Sequence, residues 1–264
     1  MIRIALAGAG GRMGAAVAQM LEEEPDLELV HAAERPGHPR VGSLLAGCAI
    51  TDSLPREREA ADVLLDFTSA AAFSEVLATV QRLGMPLVSG TTGLDQSQRE
   101  LLAAAAREIP VLHANNMSLG IAAMRALLRL TTAMLPGYDV EVLEMHHRRK
   151  RDAPSGTALS LAEAICESRA DLELVHGRSG DWGPRKSSEL GIHALRGGDA
   201  VGEHEVIFAG PGERVTLRHQ ADHRGAFAAG AVSACRFILG KAAGLYGMEH
   251  VLGMASKASR ETED

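Results

Sequence analysis

The chain has 264 residues, 46% of them hydrophobic, and a formal net charge of -7. That length accommodates one or two domains with a sizeable core, and the acidic balance argues against nucleic acid as the main partner. Cys48, Cys166 and Cys235 are odd in number and far apart, matching neither a zinc spacing nor a disulfide framework. They point to a reducing cytoplasm, as does a start directly on a strand with no signal peptide. No apolar run reaches membrane-spanning length.

Met1 to Ala7 reads as a short apolar strand, Gly8 to Gly14 as a glycine-rich turn, and Ala15 to Leu21 as a helix. Strand, glycine turn and helix is the context a dinucleotide fingerprint requires. The spacing departs from strict G-x-G-x-x-G, because Gly14 falls one place late. Gly8 suits the tight turn, Gly10 and Gly11 a close backbone approach to pyrophosphate, and Gly14 close packing of helix on strand. Arg12 can reach a phosphate. The bland alternative is an ordinary strand-to-helix turn.

Leu27 to Ala33 reads as the second strand, ending at Glu34-Arg35-Pro36. Glu34 falls about twenty residues beyond the glycines, where an acidic residue meets the ribose 2′-hydroxyl of NAD. Arg35 beside it suits the 2′-phosphate of NADP instead, and a solvated Glu-Arg pair is the competing reading. Val41 to Thr51 gives no clear signal. Asp62 to Phe67 reads as a buried strand, with Thr68-Ser69 capping a helix that runs to about Leu83. Pro86 to Ser89 is a further strand ending in Gly90-Thr-Thr-Gly93, a turn that offers hydroxyls and backbone to a cofactor or is simply a turn. Asp95 to Arg107 is helical, and Ile109 to His113 is a strand ending in Ala114-Asn-Asn-Met117. The alternation predicts a parallel sheet wound on both faces.

Gly120 to Leu135 reads as a helix whose Met residues belong to the core. Tyr138 to Met145 alternates apolar and polar residues as a half-buried strand, and Ala158 to Ile165 reads as an amphipathic helix. Between them lie His146, His147, four basic residues, and a turn built on Asp152, Pro154 and Gly156. A helix start with free N–H groups and a positive dipole end is an anion site, to which His147 and Lys150 add donors. Histidine titrates near neutral pH, so this stretch reads as one that grips a carboxylate and supplies a proton. A solvated basic loop is the alternative, above all for Arg148, Arg149 and Arg151. Gly177 to Ser188 reads as an exposed loop. Gly191 to Arg196, Gly202 to Phe208 and Arg214 to His219 read as strands of a second, open mixed sheet, whose uncovered face predicts pairing between subunits. Phe227 to Leu239 is helical, and the remainder reads as a segment packed back on the first domain.

The glycine turn, Gly90-Thr-Thr, Ala114-Asn-Asn-Met117, the stretch from Glu144 to Thr157 and Gly198-Asp-Ala-Val-Gly-Glu-His204 occur in one order. Together they resemble the dihydrodipicolinate reductase family, now called 4-hydroxy-tetrahydrodipicolinate reductase, of lysine and diaminopimelate biosynthesis. The resemblance covers nearly the whole chain. It implies a Rossmann-like domain over 1–117 completed by 224–264, and an α+β substrate-binding and tetramerisation domain over 118–223. It places NADH or NADPH on Gly8, Ala9, Gly10, Gly11, Arg12, Met13, Glu34, Arg35, Gly90, Thr91, Thr92, Ala114, Asn115, Asn116 and Met117. It also places a cyclic dicarboxylate substrate on His147, Gly156 and Thr157, with His146 as general acid and Lys150 as second proton donor. Two departures are visible: Arg149 stands where some members have a third histidine, and Met117 where many have phenylalanine. A non-catalytic dinucleotide-sensing protein would explain the first domain equally well but would leave His146, His147 and Lys150 idle. A nucleic-acid binder using Arg148 to Arg151 is disfavoured by the acidic balance.

Overall fold

The computed structural model describes residues 1–254. It divides into two compact units, one combining Met1–Leu119 with the chain from Arg224 onward, the other Gly120–His223. Residues 255–264, part of the segment expected to complete the first domain, lie outside the described residues.

In the first unit, β1 (Ile2–Ala7), β2 (Leu27–Ala33), β3 (Leu44–Leu45), β4 (Cys48–Thr51), β5 (Val63–Asp66), β6 (Leu87–Ser89) and β7 (Pro110–His113) are interleaved with α1 (Arg12–Glu22), α2 (Ala70–Leu83) and α3 (Gln96–Ala105). The central strands are apolar along their length because both sheet faces are covered: all four residues of β5 are buried. Phe73, Val76, Leu77 and Val80 of α2 are buried at helical spacing in the same core as Leu64 and Leu87. Burying Phe73 fully contributes about 2–3 kcal/mol. Asp95 caps α3 reciprocally, its Oδ1 accepting from Gln98 N at 2.8 Å while its own N–H donates to Gln98 Oε1 at 3.1 Å. Ser69 occupies the cap position of α2 but makes no side-chain cap bond. The Thr68 hydroxyl donates instead to Asp66 Oδ1. The expected Thr-Ser cap is therefore positional only.

The second unit holds α4 (Leu119–Met134), which begins at the unit boundary, β8 (Asp139–His146), α5 (Gly156–Cys166), β9 (Glu173–His176), β10 (Glu189–Arg196), β11 (Glu203–Gly210) and β12 (Glu213–Gln220). Its sheet runs β12-β11-β8-β10-β9. β10 lies parallel to β8 and β9, whereas β11 lies antiparallel to β8 and β12, which makes the sheet mixed. One face carries Val140, Val142, Leu190, Ile192, Val206 and Phe208, packed with Met124 and Leu128 of α4 and Leu161 and Ile165 of α5. Met124 is thus core, as its spacing suggests, while Met134 at the end of α4 is exposed.

The chain then returns to the first unit through α6 (Gly225–Ile238), β13 (Gly244–Tyr246) and α7 (Met248–Val251). β13 pairs parallel with β7, so the first sheet reads β13-β7-β6-β5-β1-β2-β4-β3, parallel apart from the β3–β4 hairpin. Gly230 of α6 lies against the Met117 carbonyl, a position no side chain could share.

Candidate active site

In the first unit the glycine turn sits at the carboxyl end of β1, where open parallel sheets bind ligands. Gly8 adopts φ +82°, and a Cβ there would run into the Phe67 carbonyl. At Gly14 an added Cβ would lie 2.7 Å from the carbonyl oxygens of both Gly8 and Ala9, so helix and turn meet only through glycine. Gly8 N and Ala9 N each donate to Ala33 O at 3.0 Å, which ties the turn to the end of β2. Arg12 and Met13 open α1, whose first-turn N–H groups have no intrahelical acceptor. Glu34 accepts from Gly10 N at 2.9 Å and from Arg35 N at 3.0 Å, and Arg35 is exposed. A cavity of about 410 Å³ opens here, lined by Gly8, Gly11, Glu34, Arg35, His38, Thr68 and Ser69 among others. The turn's place at the carboxyl end of β1 and the adjoining cavity suit a dinucleotide.

The remaining expected cofactor residues sit at the ends of β6 and β7. Asp66, fully buried, accepts from Thr68 N, Thr68 Oγ1, Ser89 Oγ and Thr91 Oγ1 at 2.6–2.9 Å. The Thr91 hydroxyl is thereby held inside the protein, whereas Thr92 is exposed. Gly90 leaves room for the Phe67 ring. Ala114 N donates to Ser89 O at 3.1 Å, Asn115 is exposed, Asn116 Oδ1 accepts from Ser118 N at 2.8 Å, and Met117 is buried. Burial lowers the pKa of His113 at the end of β7, with Asp66 opposing the shift.

In the second unit the alternation of β8 carries chemistry into the buried face. The buried positions are Val140, Val142, Glu144 and His146, so two titratable groups follow two valines. His146 is the last residue of this strand and 8% exposed, not part of the loop that follows it. Its Nδ1 lies 2.6 Å from Glu144 Oε2. Arg196 donates from its two terminal nitrogens to the two Glu144 oxygens, each at 2.8 Å. Ser155 N adds a fourth bond, 3.0 Å from Glu144 Oε1. Burial acts to raise the Glu144 pKa, but the hydrogen bonds from His146, Arg196 and Ser155 outweigh it and hold the carboxyl at about 2.

Ser155 also caps α5, its Oγ accepting from Ala158 N at 3.2 Å, so the helix begins at Gly156. A Cβ on Gly156 would meet nothing within 4 Å, leaving open space at the helix start. Thr157 is half-buried in the first turn, and Lys150 pairs with Asp152 at 2.9 Å. The motif from Gly198 to His204 supports the histidines from the next turn. His147 N donates to Ala200 O at 2.8 Å, Arg148 N to Gly198 O at 3.2 Å, and Gly197 N to His146 O at 3.0 Å. A Cβ on Gly202 would stand 3.0 Å from His146 Nε2, so glycine keeps that nitrogen clear. His204 stacks edge-on to His146 with centroids 5.2 Å apart, and burial, helped by His146, pushes its pKa down to about 3. Arg148, Arg149 and Arg151 are exposed. Sequence reading missed Arg196, Gly202, His204 and Asp66 as site-shaping residues. Only the His204 motif left a trace, and that came without a role.

One unit thus carries a glycine turn on a parallel sheet, and the other a histidine–carboxylate pair beside a helix start. The dihydrodipicolinate reductase N-terminal family model matches residues 2–117, and the C-terminal model matches residues 120–252. The chain belongs to the dihydrodipicolinate reductase family. Among curated relatives, the 4-hydroxy-tetrahydrodipicolinate reductase of Nitrosomonas europaea is 42% identical, aligning 96% of this chain with 98% of the relative. That of Rubrobacter xylanophilus is 45% identical over the same shares. Among solved structures, a dipicolinate-bound dihydrodipicolinate reductase from Paenisporosarcina sp. TG-14 superposes with a TM-score of 0.72 at 28% identity. It covers 95% of this chain and 99% of that one. A probable dehydrogenase from Thermotoga maritima, at 12% identity and TM-score 0.64, shares the fold, covering 100% of this chain and 98% of its own. As a member of the dihydrodipicolinate reductase family the chain is an oxidoreductase, and its first unit is a dinucleotide-binding domain of the Rossmann type.

Proposed function

We propose that the chain catalyses reduction of 4-hydroxy-tetrahydrodipicolinate by NAD(P)H and a proton, giving tetrahydrodipicolinate, NAD(P)+ and water, in lysine and diaminopimelate biosynthesis. The observation that carries this reading is the pairing of buried His146 with Glu144 beside the open start of α5, in a chain whose two halves match the two halves of the family. Bound NAD(P)H supplies the hydride. Gly8, Ala9, Gly10, Gly11, Arg12 and Met13 would hold the pyrophosphate, and Glu34 and Arg35 the adenosine ribose. The Gly90–Thr92 turn and Ala114–Met117 would hold the remainder. Glu34 suits a 2′-hydroxyl and Arg35 a 2′-phosphate, so the chain uses both nucleotides.

The second unit's residues handle substrate and proton. His147, Gly156 and Thr157 hold a substrate carboxylate at the helix start, where backbone N–H groups and the helix dipole favour negative charge. His146 delivers a proton to the ring, and Lys150 is the second donor. The whole chain is cytoplasmic, in keeping with its free cysteines. It assembles as a homotetramer through the sheet face opposite α4 and α5, where Leu143, Met145, Leu195 and Ile207 lie in adjacent registers and Leu195 is 53% exposed. Light scattering is expected to return a tetramer, and a monomer at working concentration overturns the assembly.

The deciding assay follows NADH and NADPH consumption with the cyclic substrate made fresh from pyruvate and aspartate semialdehyde. Turnover with either nucleotide is expected. Nucleotide binding without turnover would favour a dinucleotide sensor instead.

A further inference from the structure

We infer that Glu144, clamped by Arg196, is the positioning residue of this site: one carboxylate orients the proton donor His146 and, through the Ser155 N–H, anchors the start of the helix that receives the substrate carboxylate. The inference rests on the proposed reductase reading and deepens it.

Glu144 has no contact with solvent through its side chain. Its oxygens divide their bonds evenly: Oε2 takes His146 Nδ1 and one Arg196 nitrogen, and Oε1 takes Ser155 N and the other. Four donors saturate the carboxylate, and it is ionised at working pH. An ionised carboxylate has no proton to give, so the proton in the 2.6 Å contact belongs to His146 Nδ1. That leaves Nε2 as the nitrogen that exchanges protons, and Nε2 is the one Gly202 keeps clear. The imidazolium donates its Nε2 proton to the substrate ring and becomes the neutral Nδ1–H imidazole, still bonded to Glu144. No group changes place, and the Nδ1 bond to Glu144 holds the ring in one orientation before and after the proton leaves Nε2.

Arg196 has a separate task. A buried carboxylate facing a neutral imidazole lacks a counter-charge, and Arg196 supplies it from β10 in planar, two-pronged geometry. It also donates to Asp152 O at 2.6 Å, so the same guanidinium ties down the loop that carries Lys150. Glu144 thus connects three elements: its own strand, β10 and the cap of α5. Histidine proton donors held by a carboxylate at the opposite nitrogen recur in acid–base sites for this reason.

The test uses the whole chain in wild-type, Glu144→Gln and Glu144→Asp forms. Nitrogen NMR of histidine-labelled wild type, with His146 assigned by its loss in His146→Asn, is expected to show the neutral ring protonated at Nδ1. Glu144→Gln keeps the size and one acceptor oxygen but loses the charge and turns the other oxygen into a donor NH2. It is expected to lower kcat by roughly 10²-fold, within the range of a general acid's contribution, and to weaken dipicolinate binding several-fold. Glu144→Asp restores part of both, because it keeps the charge on a shorter arm. A purely structural carboxylate would give equal defects in both variants and no tautomer preference. Wild-type kcat in Glu144→Gln, or an Nε2-protonated His146 in wild type, overturns the inference. The second readout decides even if a variant fails to fold. Absence of reductase turnover in wild type would instead overturn the functional reading, while the tautomer and dipicolinate measurements still report on Glu144.

Discussion

Arg196 grips Glu144 with both terminal nitrogens, 2.8 Å to each oxygen, across 52 residues of sequence. Burial acts against ionisation, but the bonds from His146 first, then Arg196 and Ser155 N, outweigh it, and the Glu144 carboxyl titrates at about 2 in the folded chain against 4.5 for an unperturbed one. Its contribution is complete above the unfolded value and is lost as pH falls toward 2, on the order of 3 kcal/mol. His204 acts in the same direction. Its folded pKa of about 3 lies below 6.5, so the unfolded chain takes up that proton first and stability falls as pH drops from 6.5 toward 3. Thermal melts are expected to show a Tm that declines steadily from about pH 6.5 downward, with a shallower slope in His204→Asn. A Tm that stays level down to about pH 4 contradicts the His204 assignment, and one that stays level from there toward pH 2 contradicts the Glu144 assignment.

In the proposed cofactor site, nucleotide choice would turn on adjacent residues at the end of β2. Glu34 is held by Gly10 N and Arg35 N, while the Arg35 side chain is exposed beside the cavity. Arg35→Ala is expected to weaken NADPH more than NADH, by roughly tenfold, the loss of one charge-assisted contact. Fluorescence titration with both nucleotides measures it, and equal losses would remove Arg35 from the 2′-phosphate.

As the proposed proton donors, His146 and Lys150 would act on the transition state, so His146→Ala and Lys150→Ala are expected to lower kcat by roughly 10²–10⁴-fold. His147→Ala and Thr157→Ala should instead raise KM, because a carboxylate grip serves ground and transition states alike. NADH affinity should stay near wild type in all four. Near-normal kcat in the first pair would reduce the Glu144–Thr157 stretch to a basic surface.

Gly202 owes its identity to His146. An added methyl at 3.0 Å from Nε2 forces the ring or the turn to move by a few tenths of an ångström. Gly202→Ala is expected to lower kcat by roughly tenfold while NADH binding and the melting curve stay close to wild type. An unchanged kcat would mean that His146 Nε2 does not need that clearance.

The fold was readable wherever a local pattern has a local cause. Short apolar runs announced the strands of the parallel sheet, and Asp95 to Arg107 was readable as the helix α3. Position by position, Gly8 and Gly14 proved to be places where backbone meets backbone. The reading faltered where the competing partner lay elsewhere in the chain. Thr68 looked like part of a helix cap, yet its hydroxyl donates to Asp66, a buried anion that the Thr91 hydroxyl also reaches.

By itself the sequence determined the family, the alternation of strand and helix, and the segment that carries the histidines, because turn chemistry, periodicity and residue order are local properties of a chain. Only the tertiary structure decided what those histidines can do. The registry of β8 with β10 sets Arg196 opposite His146 and within reach of Glu144, and the registry with β11 sets His204 opposite Glu144. Strand pairing fixes such neighbours through backbone hydrogen bonds between distant segments, and a one-residue slip would turn every one of these side chains to the other face.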